Sequence, residues 1–162
     1  MAVSTDILAS YRGPGAVIRR LLSAGRREDR ALAMLMGACV LFFVSRLPAL
    51  ARQSHLQDEP LDQLMAGALF GWIFVAPLFF YALAGLSHIV LKALGGKGDW
   101  YGARLALFWA LLASSPLLLL NGLVAGFIGA GIELTIVGAA WFAAFTWFWI
   151  SGLKVAEYEA VR

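Results

Sequence analysis

Leu64–Ser87 reads LMAGALFGWIFVAPLFFYALAGLS: 24 residues without one formal charge. At ~1.5 Å per residue it covers ~36 Å as a helix, enough to cross a ~30 Å hydrocarbon core with some tilt. A water-soluble domain of 162 residues has no ready way to bury such a stretch on every side. It carries Gly67-x-x-x-Gly71, Trp72, Pro77, Tyr81 and Gly85. Gly67 and Gly71 form a small-x-x-x-small face suited to close approach by another helix. Pro77 removes one backbone bond in mid-span and predicts a kink, and Gly85 and Pro116 join the candidate packing positions. The stretch reads as the packing centre of a membrane bundle.

The rest of the composition agrees. The chain is 61% hydrophobic and 14% charged, against about 45–50% and about 25% in soluble domains. Mean hydropathy is +0.78. The net charge of +3 sits in residues flanking apolar runs, which points to orientation and anionic lipid rather than nucleic acid. Cys39 is the single cysteine, so an intrachain disulfide and a Cys-rich metal site are excluded. The first apolar run begins at Ala31 behind a charged lead. That order predicts no cleavable signal peptide and a mature protein starting at Met1.

In the lead, residues 1–30, six arginines stand against Asp6, Glu28 and Asp29. Tyr11-Arg12-Gly13-Pro14 reads as a turn, with Pro14 suited to a first helical position. Val17, Ile18, Leu21 and Leu22 then share one helical face, with Arg19, Arg20, Arg26 and Arg27 largely on others. Such a helix lies in the lipid interface, as a docking element or, more plainly, as a basic topology anchor.

Four spans follow, at about 31–51, 64–91, 105–127 and 134–153, within a 31–155 bundle closed by a 156–162 tail. The 49 residues from Leu105 to Leu153 hold two spans and not three. Arg46 reaches the far headgroups and snorkels there. Gln53–Asp62 reads as a polar loop whose His55, Asp58, Glu59 and Asp62 are solvated. Ser114 and Ser115 sit before Pro116 and are placed to reach backbone groups that the proline frees. NGLVAGFIGAG, 121–131, is open between helix, loop and re-entrant segment. Eleven of the 13 Lys and Arg lie in the lead, the 92–104 turn and the C-terminal stretch from Lys154 onward. The positive-inside rule then puts both termini in the cytoplasm. The expected fold is all-α: a polytopic bundle of four transmembrane helices with an N-terminal amphipathic helix.

The sequence carries no Walker A, HExxH, CxxC or Ser nucleophile elbow. His55 and His88 fall on opposite sides of the membrane, His88 alone near a lysine-bearing end. No enzyme, no cofactor and no metal site is expected. Two functions stay in view. One is a scaffold or accessory protein using its lead and helix faces to bind a membrane-protein partner, a second copy or lipid. The other is a small oligomeric transporter or channel with a path near Pro77, Tyr81, Ser114 and Ser115.

Ser10–Pro14 (SYRGP) and Arg26–Arg30 (RREDR), ahead of a compact bundle rich in Gly and aromatics, resemble the Yip (Ypt-interacting protein) domain family in its short alphaproteobacterial branch. Tyr11, Gly13 and Pro14 match the Asp-Leu-Tyr-Gly-Pro motif of eukaryotic members, with Arg12 intervening and the aspartate absent. For eukaryotic members the resemblance implies binding of Rab-type GTPases in vesicle traffic. For bacterial ones it implies only an integral membrane protein of unassigned role; the location expected for this chain is the bacterial inner (cytoplasmic) membrane. Contact with a partner or lipid through Tyr11, Gly13, Pro14, Arg19 and Arg20 is the matching site expectation.

Overall fold

The computed structural model describes residues 2–159, all of them helix or short connection; Met1 and residues 160–162 of the expected cytoplasmic tail lie outside the described residues. Two short helices, α1 (Val3–Ser10) and α2 (Pro14–Ser23), lead into α3 (Glu28–Gln57). The second long element joins α4 (Leu61–Phe70), a π turn (Gly71–Val75) and α5 (Ala76–Ala93). Then come α6 (Trp100–Phe127), α7 (Ile132–Lys154) and a closing π turn (Val155–Glu159). Among the described residues four helical stretches are long and apolar enough to cross a membrane. The chain is an all-α polytopic bundle.

Side-chain neighbours give the layout. Arg104 pairs with Glu28, and Gly122 and Gly126 lie against Ser45 and Pro48, so α3 and α6 run parallel. Tyr81 meets Phe108 and Gly85 meets Trp100, while Gly152 meets Ala106 and Asn121 reaches Leu134. α5 and α7 therefore run antiparallel to α6, one on each flank. Both described ends of the chain lie at the same end of the bundle, where Arg19 pairs with Glu159 at 2.7 Å.

The packing centre is α6, which corrects the expectation that Leu64–Ser87 holds it. From Tyr101 to Ser115 every residue except Arg104 is buried. In its most apolar window 56% of α6 is buried, against 11% for Leu61–Ala93. The reason is the pattern of sizes. Gly102, Ala103, Ala106, Ala110 and Ala113 alternate with Leu105, Phe108, Trp109 and Leu111, so neighbours approach closely on several sides at once. At Gly122 an added Cβ would overlap the carbonyl oxygen of Ser45, and at Gly126 it would overlap the Pro48 ring. Gly122-x-x-x-Gly126 is the small-x-x-x-small face that the fold uses. At Gly67 and Gly71 nothing lies within 4 Å of such a Cβ.

Pro77 and Pro116 are each accommodated locally. A π turn over Gly71–Val75 precedes Pro77 and absorbs the lost backbone bond by widening the helix. Pro116 deprives the carbonyl of Leu112 of its donor, and the hydroxyl of Ser115 donates to that oxygen at 2.7 Å. The open segment resolves as helix to Phe127, followed by a turn with Gly129 at φ +90°. The loop expected at Gln53–Asp62 is shorter. α3 continues to Gln57 and ends at Asp58, which takes a left-handed conformation at φ 53°. There the Arg52 guanidinium donates to the Gly126 carbonyl at 3.3 Å, a cation against a helix C-terminus.

Candidate functional site at the charged end of the bundle

The lead folds as a helical hairpin against protein, and its apolar face does not lie in lipid as the sequence suggests. Val17, Ile18 and Leu21 are buried, with Leu22 partly so. Ile18 reaches Gly152 of α7. Pro14 is buried at the first position of α2, and Gly13 caps it in open space. An amphipathic face specifies only that something apolar covers it, and here the α6–α7 flank does.

Five polar contacts hold the hairpin together and seat it on the bundle. The Tyr11 hydroxyl donates to the Ala113 carbonyl at 3.0 Å, and its ring meets Phe148 edge-on at 4.9 Å. Burial raises the Tyr11 phenol above its ordinary range. The Trp109 indole N–H donates to the Ser10 hydroxyl at 2.9 Å, both side chains being buried. Arg20 pairs with Asp6 of α1, and Arg26 with Asp99 ahead of α6. Arg19 pairs with Glu159 at 2.7 Å across half-exposed side chains, a contact worth roughly 0–1 kcal/mol. Pro14, Arg19 and Arg20 thus gather at one end of the molecule, while the Tyr11 ring reaches the middle of α6. Gly85 joins them from α5, 3.5 Å from the Trp100 ring. Gly67 and Gly71 lie on the outer face of the second span. Pro77 is buried and Pro116 exposed.

The same end holds a pair that sequence reading misses. His88 Nδ1 stands 2.6 Å from Glu157 Oε1, the distance at which an imidazole N–H donates to a carboxylate. Both side chains are almost fully buried, at 2% and 0% exposure. His88 is not alone, as expected from the sequence, because the π turn after α7 carries Glu157 back over the end of α5. Glu157 Oε2 accepts from Gly98 N–H at 3.1 Å, and Lys97 N–H donates to the Glu157 carbonyl at 2.8 Å. The Trp100 ring lies 4.5 Å from the imidazole. A side chain at Gly98 would overlap Ala156 and Glu157, so the 95–98 glycines are the signal that marks this close approach. Chemically, the buried contact fastens the end of the chain to the α5–α6 connection. Among the described residues no group of three or more His, Cys, Asp or Glu comes together. His55, Asp58, Glu59 and Asp62 lie at the opposite end of the bundle.

Searches against protein-family models, curated proteins and solved structures found no match to this chain.

Proposed function

We propose that the chain is a non-enzymatic integral membrane protein of the scaffold or accessory kind. In this reading it binds a membrane-protein partner or a second copy through the outer face of Leu61–Ala93. The observation that carries the reading is the uneven burial of the four spans. α6 fills the bundle centre with Phe108, Trp109 and Leu111, whereas the second span leaves Leu69, Phe70, Phe74, Leu78 and Phe79 exposed. Gly67 and Gly71 add an uncovered face on the same element, where a helix from outside can approach closely. The transport reading has less support. Tyr81 packs on Phe108, and the Ser114 and Ser115 hydroxyls bond to carbonyls of their own helix.

The proposal extends to placement. By the positive-inside rule the arginine-rich end is cytoplasmic, with both termini there. The resemblance to the Yip family adds an integral membrane protein, which we place in the bacterial inner membrane. It also assigns the lead, with Tyr11, Gly13 and Pro14, a share in partner or lipid contact. Because Tyr11 and Pro14 also seat the hairpin, the discriminating variant is Gly67→Leu with Gly71→Leu. Affinity purification from native membranes in mild detergent should lose the co-purifying protein or the homo-oligomer, with helicity retained. Unchanged recovery of both would sink the reading.

A further inference from the structure

The geometry points to a binding site for one anionic phospholipid between the N-terminal hairpin and the α3–α6 face. A cavity of about 560 Å³ opens there, within the size range of ligand pockets. Its inner wall is apolar: Met34, Gly37, Trp109 and Leu112, all from the two spans. Its other end carries Arg20 and Arg30 with Asp6. Arg20 is paired with Asp6. Arg30 donates only to the Leu21 carbonyl, at 2.8 Å, and no carboxylate among the described residues balances it. Its Nε–H is buried without an acceptor, so the chain itself leaves this guanidinium incompletely satisfied.

The arrangement has the polarity of a lipid. Arg30 lies in the first turn of α3, at the charged end. Gly37 lies seven residues further in, ~10 Å along the helix. A phosphate at Arg30 therefore lets an acyl chain run past Met34 towards Gly37 and Leu112. Exposed Val3 and Ala33 flank the opening. The occupant fitted by one uncompensated guanidinium and an apolar slot is an anionic headgroup on an acyl chain, not a soluble phosphate. The inference rests on the chain being embedded in lipid and not on the role of the second span.

The test is native mass spectrometry of the full chain released from nanodiscs of phosphatidylcholine mixed with phosphatidylglycerol. Wild type should keep one phosphatidylglycerol, preferred about fivefold over phosphatidylcholine, the value of one arginine near an anionic surface. Arg30→Gln should bring the two lipids to parity. Gly37→Leu grows a side chain into the slot from a position whose Cβ has only Leu112 near it, at 3.9 Å. That variant should retain neither lipid, with circular dichroism unchanged. Equal retention in wild type, retention that survives Gly37→Leu, or displacement by inorganic phosphate alone would each overturn the assignment. Gly67→Leu with Gly71→Leu should leave lipid retention intact, which separates this inference from the partner-binding proposal.

Discussion

At the residue scale the most telling side chain is Tyr11, which joins the lead to the middle of α6. Its hydroxyl donates to Ala113, and burial raises its phenol above the ordinary value of 10.0. The docked hairpin therefore holds the proton more tightly than an undocked one. Docking is fully favourable below about pH 10 and weakens as pH climbs through the raised value. A spin label on Ser4→Cys, an exposed α1 position, should stay immobile up to about pH 10 and gain mobility above it. Cys39 is buried and should not take the label. In Tyr11→Phe the hydrogen bond is gone, at a cost of about 1 kcal/mol, and the inflection should vanish. An inflection that persists would assign the effect to another group. The Tyr-Arg-Gly-Pro stretch is visible in the sequence as a turn, but its distant acceptor is not. A main-chain carbonyl some hundred residues away leaves no residue-type signature.

At the scale of elements, helix existence is legible and helix pairing is not. Uncharged runs and flanking charges are one-dimensional features, so Leu64–Ser87 announces itself as a span. Two Gly-x-x-x-Gly pairs stand within the expected spans, at Gly67/Gly71 and Gly122/Gly126. Nothing in their spacing says which one meets a neighbour within the chain. The structure uses the second, against Ser45 and Pro48. The amphipathic lead poses the same ambiguity, since lipid and protein cover an apolar face equally well. His88 and Glu157 stay separate in sequence reading because a π turn, which has no residue signature, redirects the end of α7. The proline devices are more readable. Ser115 donating to the Leu112 carbonyl follows directly from the position of Pro116. Ser115→Ala should leave that carbonyl without its donor and cost about 1–2 kcal/mol in thermal or denaturant unfolding in detergent. Adding Pro116→Ala restores a backbone N–H at the right position and should recover most of the loss. Two losses that simply add would show that the hydroxyl is not serving the proline gap.

At the scale of the whole molecule, charge and fold agree on an axis. The end that gathers Arg19, Arg20, Arg26, Lys97 and Arg104 also gathers both described chain ends. The other end carries Asp58, Glu59 and Asp62 beside Arg52. An even number of spans requires the first fact, and the positive-inside rule turns it into an orientation. The rule acts on short flanks within about 15–20 residues of a span, where nearly all of these arginines and lysines lie. The proposed orientation therefore rests on the connections, while packing rests on α6, and the two are separable in the sequence for that reason. Exposed positions at either end make the orientation measurable, because Cys39 is buried and contributes little background. In intact bacterial cells a membrane-impermeant maleimide should label Gln57→Cys nearly completely. Lys97→Cys and Ser4→Cys should react only after permeabilisation. Reaction of Gln57→Cys and Lys97→Cys from one side would contradict the four-span layout. A clean inversion, with Lys97→Cys and Ser4→Cys labelled from outside, would keep the layout and reverse the assignment of the arginine-rich end to the cytoplasm.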